Sequence, residues 1–183
     1  MAPKRCGHTR DKAVVSFDEA VSRVRAAVDA AHEAAGEGGA PIVIVARTDA
    51  RGTNGLDEAI RRCVAFSEAG ADVTFLEAPQ SRDEMVAYCE GVPGLKMANL
   101  LEGGLTPLLP PAELEQIGFA LAAYPFATLN PAIVAMRASL RALGAEGEEA
   151  RATRERFALG FPELQRVVGF PQYYAEEARY KTK

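Results

Sequence analysis

The sequence predicts an α/β protein built on a parallel sheet. Short unbroken apolar runs alternate with stretches whose apolar residues recur at helical spacing. The first such run, Ile42-Val43-Ile44-Val45-Ala46, has no polar alternation, which suits a strand covered on both faces as in parallel sheets. Successive strands begin about 23 to 30 residues apart, the length of one strand–helix unit.

The elements follow in order. Ser16 and Glu19 have capping-box spacing, in which the serine oxygen accepts a first-turn amide and the glutamate reaches back. Val21, Val24, Val28, Ala31 and Ala35 continue that helix, and Gly36, Gly38, Gly39 and Pro41 end it. After the strand at 42–46, Leu56, Ile60, Cys63 and Phe66 mark a helix that Gly70 closes. Val73 to Leu76 is the next strand. Ser81 and Glu84 repeat the capping box ahead of Met85, Tyr88 and Cys89. Leu95 to Asn99 is the third strand, and Pro110-Pro111 opens a helix ending near Ile117. Phe119 to Ala123 is the fourth strand. Asn130 is expected to cap a helix with Pro131 at its first position, running to Leu143. Residues 144–156 are polar, and Phe170 to Tyr174 restores apolar weight for a final helix.

The chain has 183 residues, 48% of them hydrophobic and 25% charged, with a net charge of −4. The length suffices for one domain with a sizeable core. The acidic balance argues against a nucleic-acid surface, which needs a basic stripe to meet phosphates. No apolar run approaches the roughly 18 residues of a membrane span. The start, Met-Ala-Pro-Lys-Arg, lacks the apolar region of a secretory signal. Cys6, Cys63 and Cys89 are an odd set without paired spacing, which disfavours disulfides or a zinc site. A reducing, cytoplasmic setting is the expectation, with plastid or mitochondrion open should a transit peptide precede Met1.

Function is sought where strands stop. The first run leads into Arg47, Thr48 and Asp49, the second into Glu77, the third into Asn99. Ligands of parallel sheets bind beyond the carboxyl ends of strands. Arg47 has a planar fork for a carboxylate, Glu77 can accept a proton, and Asn99 can donate to a carboxylate or an oxyanion. Each is equally readable as a turn former. The Glu102-Gly103-Gly104 loop before Thr106 would let backbone approach a ligand, or is a plain turn. In Lys4-Arg5-Cys6-Gly7-His8, neighbouring cations favour a thiolate. The alternative is a basic terminus with an incidental cysteine. Cys63 and Cys89 lie on apolar helix faces and read as core.

The Cys6 segment resembles the active-site loop of isocitrate and 2-methylisocitrate lyases. The run from Ile42 through Arg47-Thr48-Asp49-Ala50 resembles the fifth barrel strand of the isocitrate lyase and phosphoenolpyruvate mutase superfamily. Ala69-Gly70-Ala71-Asp72, Phe75 through Ala78, Met97-Ala98-Asn99, Glu102-Gly103-Gly104 and Thr106-Pro107 match in order. Lys96 to Asn99 and Gly169-Phe170 to Tyr173-Tyr174 point to the plant-type branch that includes petal death protein and sequences labelled carboxyvinyl-carboxyphosphonate phosphorylmutase.

The resemblance implies about four strand–helix units forming the C-terminal half of a (β/α)8 TIM barrel, with extra C-terminal helices. It divides residues 1–183, one partial barrel domain, into an active-site loop (1–15), strand–helix units (16–143) and a helical extension (144–183). It implies a Mg2+-dependent (or Mn2+-dependent) lyase that breaks a C–C bond of a small 2-hydroxy or 2-oxo diacid, in a homo-oligomer that is a tetramer in relatives. Cys6 would be the general acid/base. Gly7, His8, Arg47, Asn99 and Thr106 would bind substrate, and Glu77 would sit near metal-bound water. In relatives the acidic metal ligands lie before the Cys loop, in a part this sequence does not show. The expectation is therefore a fragment of a complete enzyme with negligible activity alone, or a short paralogue that pairs with another half-barrel. A phosphonate mutase of the isomerase class is the alternative chemistry.

Overall fold

Four parallel strands lie side by side in chain order. β1 (Val45–Thr48), β2 (Val73–Leu76), β3 (Leu95–Asn99) and β4 (Leu121–Ala123) form a sheet ordered β1-β2-β3-β4. The structure is a computed structural model, and it describes residues 13–36, 38–40 and 42–180. Strands added one after another to the same edge are the arrangement of a barrel, and the α/β architecture expected from the sequence is the one found.

The register separates two faces. Val45 pairs with Val73 and Val73 with Leu95, Arg47 pairs with Phe75, and Met97 pairs with Leu121. Side chains alternate along a strand, so these residues share one face, and Ala46, Thr48, Thr74, Leu76, Lys96 and Ala98 share the other. The second face lies under helices. Leu76 and Ala98 join Cys63 of α3 (Leu56–Glu68), Met85 and Tyr88 of α4 (Arg82–Gly91) and Leu114 of α5 (Pro111–Ile117) in one buried cluster. Ala46 packs with Ala20 and Val21 of α1 (Phe17–Gly36) and with Phe66 of α3. Polar groups caught in this layer are satisfied, as burial requires. The Thr74 and Tyr88 hydroxyls share a 2.8 Å hydrogen bond. Lys96 Nζ donates to the Val92 and Gly94 carbonyls at 3.0 and 2.9 Å. The opposite face is buried along β2, at Val73 and Phe75, and open on either side of it. Val45, Leu95 and Leu121 are 42%, 54% and 47% exposed on it.

Several boundaries depart from the sequence-based expectation. The first strand starts at Val45, not Ile42, so Arg47 and Thr48 lie within it. Pairing begins where the partner strand begins: Val73 donates to the Ile44 carbonyl at 3.2 Å, and the Ile44 amide is taken by Asp72 Oδ2 at 2.8 Å. Of the strands, only β2 is buried throughout; β1 alternates exposed and buried. β4 starts at Leu121 because the Phe119 amide donates to the Leu114 carbonyl, closing α5 over the left-handed Gly118 (φ 113°). The short helix α2 (Arg51–Asn54) was not expected. Both serines cap as expected, accepting from Glu19 N at 3.3 Å and Glu84 N at 3.2 Å. The glutamates turn elsewhere: Glu19 pairs with Arg23, and Glu84 accepts from the Gln80 amide and Arg51.

The residues from Thr128 on form a second compact unit. It holds α6 (Leu129–Leu143), α7 (Glu148–Arg156), α8 (Phe161–Val167) and α9 (Phe170–Tyr180). α6 begins two residues before the expected first position, with Thr128 at the cap. Pro131 then falls in the first turn, where a missing amide costs no helical hydrogen bond. Arg154 of α7 donates to the Ala142 carbonyl at the end of α6. Leu140, Leu143 and Phe161 remain exposed.

Candidate functional site

Strand parity explains how three separate segments meet. Arg47 is on the open face of β1 and Asn99 ends β3 on that same face. Glu77 directly follows β2 and is anchored by its amide, which donates to the Thr48 carbonyl at 3.0 Å. At this end Asn99 Nδ2 donates to Glu77 Oε2 at 3.4 Å, and Arg47 Nη2 lies 3.5 Å from that oxygen. The Glu77 side chain is 2% exposed and that of Arg47 40%. A carboxylate is thus sunk beneath a guanidinium that still reaches solvent. Burying a charge this deeply is tolerated because a cation and an amide donor face it.

The sequence reading missed how Arg47 is held. Its Nε and Nη2 donate to the two oxygens of Asp49 at 2.8 and 3.0 Å, a bidentate pair. Its guanidinium also stands 5.0 Å from the Phe75 ring centroid, within cation–π range. The Asp49 half of this was legible, since residues two apart along an extended chain share a face; the Phe75 half was not, because it needs the register that sets Phe75 beside Arg47. Thr106 is buried on the connection from β3 to α5. Cys6, Gly7 and His8 lie outside the described residues, and so does their distance to Arg47 and Asn99.

Divalent-metal ligands do not assemble from what is described. No group of three His, Cys, Asp or Glu residues is placed to hold a metal among the described residues. Asp49 is occupied by Arg47, and Glu77 by Arg47 and Asn99. The two other cysteines are inert by burial, which pushes the Cys63 thiol up to about 12 and the Cys89 thiol up to about 11. No helix of the described residues is long and apolar enough to cross a membrane.

The profile of the phosphoenolpyruvate phosphomutase family matches residues 4–144. The chain belongs to the phosphoenolpyruvate mutase/isocitrate lyase superfamily. It is 45% identical to 2,3-dimethylmalate lyase of Eubacterium barkeri over 134 residues, covering 73% of this chain and 44% of the relative. It is 37% identical to petal death protein of Dianthus caryophyllus over 179 residues, 98% of this chain and 54% of that one. Its fold superposes on oxaloacetate acetylhydrolase in complex with 3,3-difluorooxalacetate with a TM-score of 0.84 at 32% identity, covering 98% of this chain and 58% of that structure. This superfamily member thus spans about half the length of the curated relatives it matches. The four parallel strands correspond to part of the TIM barrel of those relatives.

Proposed function

We propose that this superfamily member is the substrate-binding part of a carbon–carbon bond lyase. Its substrate would be a small 2-hydroxy or 2-oxo diacid of the 2-methylisocitrate, alkylmalate or oxaloacetate type, broken by retro-aldol or retro-Claisen cleavage. One observation supports this above the rest: Arg47, Glu77 and Asn99 converge at the carboxyl ends of three adjacent parallel strands. Solved and curated relatives are lyases or hydrolases named for small di- or tricarboxylic acids.

In this reading Arg47, whose fork Asp49 holds in place, supplies the positive charge that attracts and neutralises one substrate carboxylate. Asn99 donates to an oxygen on which charge develops as the bond breaks, where a preorganised donor counts most. Glu77 holds a proton or a water in place between them. Cys6, with Lys4, Arg5 and His8 near it in sequence, gives a proton to the enolate of the product other than the oxo acid, while Gly7, His8 and Thr106 help enclose a carboxylate. A divalent cation, Mg2+ or Mn2+, would stabilise the oxyanion of the oxo acid when bound. Its ligands would come from residues other than those described, because these do not form a cation site.

A fusion tests the reading. The part of Eubacterium barkeri 2,3-dimethylmalate lyase that precedes its region of similarity is joined ahead of this chain. Cleavage of 2-methylisocitrate, 2,3-dimethylmalate and oxaloacetate is assayed with Mg2+, beside rearrangement of carboxyvinyl-carboxyphosphonate. C–C cleavage that vanishes in Cys6→Ser is the expected result, with negligible turnover by the chain alone. Rearrangement of the phosphonate without any C–C cleavage would replace the lyase by the isomerase.

A further inference from the structure

The turn leaving β2 holds a backbone conformation that its residues do not favour. Ala78 has φ 58°, and among the described residues it is the one non-glycine at positive φ. A Cβ at such a φ crowds the following carbonyl. Pro79 adds its own restriction on the residue before it. Such a conformation persists only where surrounding contacts over-determine it.

Those contacts centre on one carboxylate. Glu84 Oε2 accepts from the Gln80 amide at 2.8 Å and from Arg51 Nε at 2.9 Å, while Oε1 accepts from Arg51 Nη2 at 2.5 Å. Glu84 sits in the first turn of α4 and Arg51 opens α2, just past β1. The two thus tie the far side of the Glu77–Gln80 turn to the segment that carries Arg47 and Asp49. The near side is tied already, by the Glu77 amide on the Thr48 carbonyl. We propose that Arg51 and Glu84 are positioning residues: their bidentate pair holds the left-handed turn at Ala78, and through it sets the Glu77 carboxylate against Arg47 and Asn99. The inference rests on Glu77 being the site carboxylate of the proposed lyase, although none of the measurements below depends on turnover.

The full chain serves for the test, with NMR and thermal melting as readouts. Arg51→Ala or Glu84→Ala should speed exchange of the Gln80 amide at least tenfold and shift the side-chain amide signals of Asn99. Arg82→Ala breaks another ion pair at the start of α4, to Glu113 at 2.6 Å, and should do neither. Ala78→Gly removes strain that the pair imposes, so it should raise the melting temperature of the parent chain more than that of Arg51→Ala, a coupling that independent sites do not show. Arg51→Lys keeps the charge without the fork and serves where Arg51→Ala fails to fold. Unchanged Gln80 exchange and Asn99 signals in the folded variants, or strictly additive melting shifts, would reduce the pair to a surface tie and overturn the proposal. Loss of the lyase reading in the fusion assay would leave these results standing and remove only their catalytic meaning.

Discussion

The two faces of the sheet are built to different rules. On the helix-covered face, Leu76, Cys63, Met85 and Tyr88 are buried, and each polar group among them has a partner. On the other face Val45, Leu95 and Leu121 stand open at one end, and Arg47, Asp49, Glu77 and Asn99 crowd the other. Packing fixes the first face. Charge pairing fixes the second, and only where the strands end. The difference places stability and chemistry on opposite sides of the same four strands. It also leaves on the open side an apolar surface of the kind that marks an interface.

Mutation of one large residue from each face gives the strongest contrast. Phe66→Ala empties a site that is 2% exposed and should cost about 3–5 kcal/mol in denaturant unfolding. Leu95→Ala, on the open face, should change stability by less than about 0.5 kcal/mol. Equal costs would mean that the open face is covered in solution. The next effect is on activity. In the fusion described above, Arg47→Ala should lower kcat/KM by about 10²–10³, and it should also cost stability, because it leaves the buried Glu77 carboxylate without its cation. A loss of stability with kcat/KM unchanged would make Arg47 a structural residue instead. Tyr88→Phe is intermediate, because it strands the Thr74 hydroxyl, and about 1–2 kcal/mol of stability should go with it.

Legibility in the sequence follows the same division. β2 and β3 were readable to the residue because their apolar runs coincide with the paired segments. β1 was not, because pairing depends on where its neighbour starts, and Ile42 and Val43 are apolar yet outside the ladder. Arg47, Glu77 and Asn99 were legible as candidates because polar residues directly after apolar runs stand out. Their convergence needs the register, which no local pattern encodes. The Arg51–Glu84 pair joins residues 33 apart in the chain, and the positive φ at Ala78 lacks the glycine that would have announced it. Both arise from tertiary contacts that override local preference.

A labelling experiment sharpens the comparison through the thiols. Burial raises Cys63 to about 12 and Cys89 to about 11, so at neutral pH both are thiols rather than thiolates. In the native chain neither should react with a maleimide on the timescale of minutes, and both should react once guanidinium unfolds the helix-covered face. Rapid labelling of either in the native state would mean that this face opens far more often than its packing suggests.

The smallest effect is the pH dependence at the border of the two faces. The Glu84 carboxyl is held below its ordinary range, first by its hydrogen bonds from Arg51 and then by the Gln80 amide, against the opposing effect of burial. A depressed carboxyl contributes stability that is fully present above its unfolded value of about 4.3 and is lost as pH falls through the lower folded value. Both side chains of this pair are 20% exposed, so water and salt screen the interaction and its contribution should stay within about 1 kcal/mol. Parent chain and Glu84→Gln should therefore differ in melting temperature at pH 7 and converge only as the pH falls through the depressed folded value. The variant's amide can still accept from Gln80, so the difference isolates the ionic part of the contact. A gap that stayed constant through the acid range would assign the contact to neutral hydrogen bonding, and the turn that carries Glu77 would then be held by geometry alone.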